Sequence, residues 1–193
     1  MIEYIKGNIA QLTPTFVVVE ANNVGYLLNI SLNTFSKLKE GEVVKLFAHQ
    51  VIKEDAHDLF GFFDDYERHI FRSLISVSGI GANTARMILS SLTPPEIVSS
   101  ITSGDVKTLK AVKGIGEKSA QRMIIDLKDK LGKSGEIPDI FSHKDNTTKQ
   151  EALSALLMLG FGKAAIEKVL DKVVSENPTA PVEVIVKLSL KRL

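Results

Sequence analysis

The stretch VSGIGANTA, residues 77–85, is written again as VKGIGEKSA at residues 112–120. At this offset of 35 positions Leu74 falls on Leu109, Val77 on Val112, Gly79 on Gly114, Ile80 on Ile115, Gly81 on Gly116 and Ala85 on Ala120. Asn83 and Lys118, and Thr84 and Ser119, agree in size or hydrogen-bonding capacity. The match spans the end of one helix, a tight turn and the start of the next. Glycines on either side of the turn permit unusual backbone angles and close approach, while the isoleucine between them can turn inward as an anchor. The following helix then presents its unpaired N–H groups, with its positive end behind them, and phosphate is the anion such a repeated site would meet along a duplex. One copy alone reads equally well as a tight joint between two helices. Two copies with matched apolar flanks favour phosphate.

The charge distribution points the same way, though weakly. Residues 1–64 hold five Lys and Arg against eight Asp and Glu, residues 65–133 eleven against seven, and residues 134–193 eight against eight. The basic excess therefore coincides with both glycine turns, but it is modest for a nucleic-acid binder. The 193 residues include no cysteine, so neither a disulfide framework nor a thiolate metal site can form. His49, His57, His69 and His143 lie at no metal-ligand spacing, and no metal or cofactor is expected. GIGEKS lacks the glycine directly before Lys118 that a nucleotide-binding loop needs, so no ATP site is expected. The N-terminus has no signal-peptide pattern and no apolar run approaches membrane-spanning length, which predicts a soluble cytoplasmic protein.

Working outward, residues 1–63 read as about five short strands rich in Val, Ile, Phe and Tyr, separated by TPT, NNVG and KEG breaks. NTFSKLKEG offers a turn or two of helix stopped by Gly41, and the set predicts a small barrel of the OB type. From Asp64 the apolar period lengthens to that of helices, which continue to about residue 132. Thr93, Pro94 and Glu96 form a capping box with a proline start. Residues 133–148 lack periodicity and predict a flexible linker. Residues 149–193 predict three short helices, with Thr148 and Glu151 as a capping box and Gly160 as a stop. The fold class expected is α+β and multidomain: OB-fold barrel 1–63, tandem helix-hairpin-helix 64–132, linker 133–148 and a three-helix domain 149–193.

Two copies of hxxhxGIGxxxA resemble the tandem helix-hairpin-helix motifs of DNA repair proteins. The order of segments is more specific still. A barrel ending in VIKEDAHDLFGF, then ERHIFRSLISVSGIGANTARMIL, then LKAVKGIGEKSAQRMIIDLKDKL and a small helical tail is similar, over the whole chain, to the RuvA family of Holliday-junction-recognising subunits. That resemblance implies a homotetramer, single or paired as an octamer, holding a four-way DNA junction open on one face. It also implies a RuvB hexameric ATPase as motor, the resolvase RuvC in the same complex, and no catalytic residue in this chain. Carried over by position, amides around Gly79, Ile80, Gly81 and Gly114, Ile115, Gly116 would hold phosphates, assisted by Lys118 and Arg122. The first copy departs from the family in carrying Asn83 where lysine is common, so its grip is expected to rest on amides, with help from Arg86.

Glu54 and Asp55 fall between strands at a hairpin tip. By themselves they read as a solvated turn; the resemblance implies an acidic pin beside the junction centre that repels phosphates. LMLGFG in the tail resembles the turn of a ubiquitin-associated-like three-helix domain, whose UBA-like apolar patch, including Leu156, Leu159 and Phe161, is expected to dock the motor. Two rivals stand beside this reading. One is a helix-hairpin-helix glycosylase using Asp126 or Asp129 downstream of the second copy, for which the chain offers no room for a base-flipping pocket. The other is a passive, non-specific duplex binder.

Overall fold

The computed structural model describes residues 1–132, 148–178 and 180–193, and the expected linker lies outside them apart from Thr148. The chain divides into two compact units, Met1–Gly135 and Glu136–Leu193.

The first unit opens with strands β1 (Tyr4–Leu12), β2 (Phe16–Ala21) and β3 (Val24–Asn29), a short helix α1 (Leu32–Phe35), then β4 (Val43–Ile52) and β5 (His57–Phe62). They close into a barrel in the order β1-β2-β3-β5-β4. Every neighbouring pair is antiparallel except β3 and β5, which meet in parallel at Asn29 and Phe60. Alternation explains the wall: Ile5, Ile9, Val17, Val19, Leu28 and Leu46 point inward and are buried, while their neighbours face out. Asn22 and Asn23 turn the β2–β3 hairpin at φ 50° and 63°, the left-handed angles that asparagine tolerates and a two-residue hairpin requires. Gly7 allows the strands to close, since a Cβ there would stand 2.0 Å from the Glu20 carbonyl oxygen.

Five helices follow: α2 (Asp65–Ile75), α3 (Ala82–Ser91), α4 (Pro94–Ser103), α5 (Val106–Ala111) and α6 (Glu117–Gly132). Their starts follow sequence chemistry. Asp64 caps α2 by accepting from the Glu67 N–H at 2.8 Å, and Asp105 caps α5 by accepting from the Thr108 N–H at 3.1 Å. The Thr93 N–H donates to Glu96 Oε2 at 2.8 Å, so the predicted capping box is present, and Gly104 ends α4 in the left-handed conformation.

Barrel and helices share their packing. Phe60 and Phe62 of β5 belong to the same buried cluster as Phe71, Leu74, Ile88, Ile101 and Met123. Phe71 rings stand 5.1 Å from Phe60 and 4.9 Å from Phe62. Two adjacent charged residues on α2 clamp this junction. Glu67 is 1% exposed and accepts from the hydroxyls of Ser31 and of Thr34, the latter at 2.7 Å. Burial pushes its carboxyl above the ordinary range. Arg68, 3% exposed, donates to the carbonyls of Glu3 at 3.0 Å and Ala48 at 3.2 Å and pairs with the carboxylates of Glu3 and Asp65.

The second unit holds α7 (Thr148–Met158), α8 (Lys163–Glu176) and α9 (Val182–Leu190) around Ala152, Leu156, Ile166, Leu170, Val173 and Ile185. Thr148 is the first helical residue, not the cap that its spacing to Glu151 suggests. Gly160, at φ 94°, ends α7 as expected. No described helix is long and apolar enough to cross a membrane.

Candidate nucleic-acid interface

The two glycine turns superimpose in their bonding. In the first, α2 gives way through Val77 to Gly79 at φ 92°, and Ile80 N–H donates back to the Val77 carbonyl at 3.0 Å. In the second, α5 gives way through Val112 to Gly114 at φ 89°, and Ile115 N–H donates to the Val112 carbonyl at 3.1 Å. Ile80 and Ile115 are both buried, as are Ala85 and Ala120 one turn into the next helix. The carbonyls of Gly81 and Gly116 accept from the N–H groups of Ala85 and Ala120 at 2.9 and 3.0 Å, which starts α3 and α6 at equivalent positions.

The four glycines have two different reasons. Gly79 and Gly114 hold positive φ, where any side chain is strained. Gly81 and Gly116 do not, and a Cβ on either would meet nothing within 4 Å. Among the described residues no conformational or packing need explains a glycine at those two places. Open space directly before a helix N-terminus leaves the amides of the first turn free for an anion approaching from outside.

The side chains around the turns differ. Lys118 and Arg122 on α6, and Lys113 in the second turn, are exposed and make no hydrogen bond or ion pair with any described residue. Glu117 opens α6, and a hydrogen bond from Lys110 at 2.8 Å draws its carboxyl below the ordinary range. Asn83 is exposed in the first copy. Arg86 is half-buried, and its Nη1 donates to the Thr15 carbonyl at 2.9 Å and to Asn29 Oδ1 at 3.2 Å. This guanidinium, expected beside the phosphates, reaches with its Nη1 across to the barrel, a partner 71 residues earlier that no local pattern reveals.

Glu54 and Asp55 form the exposed tip of the β4–β5 hairpin, closed by the Lys53 N–H donating to the Ala56 carbonyl at 2.8 Å. Lys53 pairs with Asp58 at 3.8 Å, and neither tip carboxylate pairs with a cation among the described residues.

In the second unit the patch expected from Leu156, Leu159 and Phe161 needs correction. Leu156 is fully buried, because it follows Ala152 by one helical turn on the inner face of α7. The exposed apolar residues around this turn are Leu157, Met158, Leu159 and Phe161; Val184, Leu190 and Leu193 are exposed elsewhere in the unit. Met158, at 75% exposure, escaped the sequence reading although it sits in the same LMLGFG run. Among the described residues no group of three or more His, Cys, Asp or Glu is placed to hold a metal ion.

A closed five-stranded barrel packed against two helix–glycine turn–helix elements defines a tandem helix-hairpin-helix protein built on an OB-type barrel. Comparison with known families agrees in each segment: the RuvA N-terminal domain matches residues 1–61, the SAM-like helix-hairpin-helix tandem residues 71–129, and the RuvA C-terminal domain residues 148–193. The chain belongs to the RuvA family. It is 50% identical over 193 residues to a protein of Christiangramia forsetii and 51% identical to one of Flavobacterium psychrophilum, with all of both chains covered. A relative in Cytophaga hutchinsonii is 46% identical with 99% of each chain covered. All three are named Holliday junction branch migration complex subunit RuvA.

Proposed function

We propose that this chain is a non-catalytic DNA-binding subunit that recognises four-way junctions by shape and brings a RuvB-type ATPase motor to them for branch migration. The observation that carries the reading is the pair of glycines, Gly81 and Gly116, that neither their backbone angles nor any described neighbour requires. Each opens the N-terminus of a helix, and a phosphate at each turn would be held by the backbone amides of Gly79 and Gly81, of Gly114 and Gly116, and of the first helical turn after each; the Ile80 and Ile115 N–H groups, expected among the donors, already serve the Val77 and Val112 carbonyls. Lys118 and Arg122 add charge at the second turn, and Asn83 a neutral donor at the first. Such contacts fix the position of a duplex without reading its bases.

A single pair of hairpins holds one arm. Recognition of the angle between arms needs a fixed assembly, so the proposed working form is a tetramer, alone or as two tetramers face to face. Four copies would bring Glu54 and Asp55 of each hairpin tip toward the crossover, where their charges repel phosphates and keep strands apart. The exposed apolar run of Leu157, Met158, Leu159 and Phe161 is the proposed motor-docking surface. The experiment is a gel-shift competition between a synthetic four-way junction and a linear duplex of equal length at physiological salt, with native mass measured in parallel. Strong junction preference by a tetramer is the expected result. Equal binding to both, or a monomer, overturns it in favour of a passive duplex binder.

A further inference from the structure

The outer wall of the barrel between β1 and β4 carries a feature that neither the hairpins nor the acidic tip use. The register places Tyr4 opposite Phe47, Lys6 opposite Lys45 and Asn8 opposite Val43, three successive outward pairs on one face. Outward positions on a strand repeat about every 7 Å. Tyr4 is 50% exposed and Val43 67%, while Phe47 is half-buried against the helices. Two ammonium groups directly across a ladder repel each other. Lys45 is held in place all the same: its Nζ lies 4.4 Å from the Tyr4 ring centre and 4.9 Å from that of Phe47. Lys6 has no hydrogen bond or ion pair with any described residue. The acid nearby, Glu3, is committed to the buried Arg68, whose hydrogen bond draws its carboxyl below the ordinary range.

A facing lysine pair next to an exposed aromatic ring matches one ligand chemistry well. The cations suit a phosphodiester and the ring suits the face of a base, and a base has a free face only when its strand is unpaired. An acidic protein segment would satisfy the lysines and leave Tyr4 without a role. We infer that the β1–β4 wall is a binding site for unpaired single-stranded nucleic acid, with Tyr4 stacking on a base and Lys6 and Lys45 holding the adjoining phosphates. The inference stands on the barrel alone and does not depend on the hairpins.

The test uses a fluorescein-labelled oligothymidylate, which offers neither duplex nor junction, titrated into the full chain carrying Gly81→Asp and Gly116→Asp to suppress the hairpins. Binding persists in this background, Tyr4→Ser weakens it about tenfold, and Tyr4→Phe restores it. Lys6→Gln with Lys45→Gln makes the logarithmic salt dependence shallower by about 1.4, the value for two contacts on a single strand. A 5-iodouracil probe crosslinks to Tyr4, read by mass spectrometry of the peptide. Unchanged oligothymidylate affinity in the Tyr4→Ser and double-lysine variants, without a Tyr4 crosslink, overturns the inference. So does a change in native mass with affinity retained, which would make the wall a contact between copies. If Gly81→Asp and Gly116→Asp leave duplex binding intact, the hairpin reading fails by itself, and the wall is still judged by the Tyr4 variants.

Discussion

The two hairpins share a backbone and differ in what their side chains are for. At the offset of 35, Arg86 aligns with Gln121 and Met87 with Arg122, so the first copy carries its arginine one position earlier. That single step turns the guanidinium from the open side of the turn toward the barrel, where Thr15 and Asn29 hold it. The second copy keeps Lys113, Lys118 and Arg122 exposed and without a partner among the described residues, and pairs the acid that opens α6, Glu117, with Lys110. One turn is thus tied by its arginine to the barrel; the other keeps its cations exposed. The lesson is that a repeated motif can keep its backbone while its side chains diverge, one copy bonded to the barrel and its twin left with exposed cations.

That division can be broken in stages. The largest effect should come from Gly79→Val with Gly114→Val, because each valine must adopt a φ near 90° at a cost of about 1–3 kcal/mol. Gel shifts should show junction binding abolished, and thermal melting should show a destabilised first unit. Next are Gly81→Asp and Gly116→Asp, made separately. Aspartate is at least as good a helix cap as glycine, better by a few tenths of a kcal/mol, so melting temperatures should hold or rise. Affinity for the junction should nevertheless fall at least about tenfold, and further for Gly81→Asp, since the first turn carries Asn83 where the second has Lys118 to offset the new charge. Equal affinity to the parent in either variant would remove the amides from the interface.

A smaller and more diagnostic contrast sets Lys118→Ala with Arg122→Ala against Arg86→Ala. The former pair should leave melting unchanged and make the logarithmic salt dependence of duplex binding shallower by about 1.8. Arg86→Ala should instead cost about 1–3 kcal/mol of stability, through its lost hydrogen bonds, with the salt dependence intact. A reduced salt slope for Arg86→Ala would return that residue to the phosphates. The smallest change in affinity belongs to Glu54→Gln with Asp55→Asn: junction binding equal or tighter, with an altered rate in a motor-driven branch migration assay. A large loss of affinity there would contradict repulsion at the tip.

Much of this was legible in the chain because it is written locally. Strand alternation, the Thr93–Glu96 box and the Gly-Ile-Gly turns each depend on residues within a few positions of one another; the helix stop expected at Gly41 does not hold, since α1 ends at Phe35 with Ser36 as its cap and Gly41 turns the chain into β4 instead. What could not be read is written at long range. Glu67 and Arg68 sit in DYERHIFRSL as two ordinary charges of a helix face, yet they are buried against Ser31, Thr34, Glu3 and Ala48. The barrel partners of Arg86, Thr15 and Asn29, are unreadable for the same reason, and the burial of Leu156 because the same helix supplies core and surface at adjacent positions. The glycine spacing suggested four equivalent glycines; only coordinates separate the two that the backbone demands from the two it does not.

The clamp formed by Glu67 and Arg68 has a thermodynamic consequence. It ties the barrel, and with it the hairpin tip of Glu54 and Asp55, to the helix that leads into the first glycine turn. The angle between tip and turn is therefore settled when the protein folds, and little of the protein's conformational freedom remains to be lost when DNA arrives. Adaptation falls to the DNA: its bending and the ions it sheds should dominate the entropy of association, which calorimetry at several salt concentrations can read.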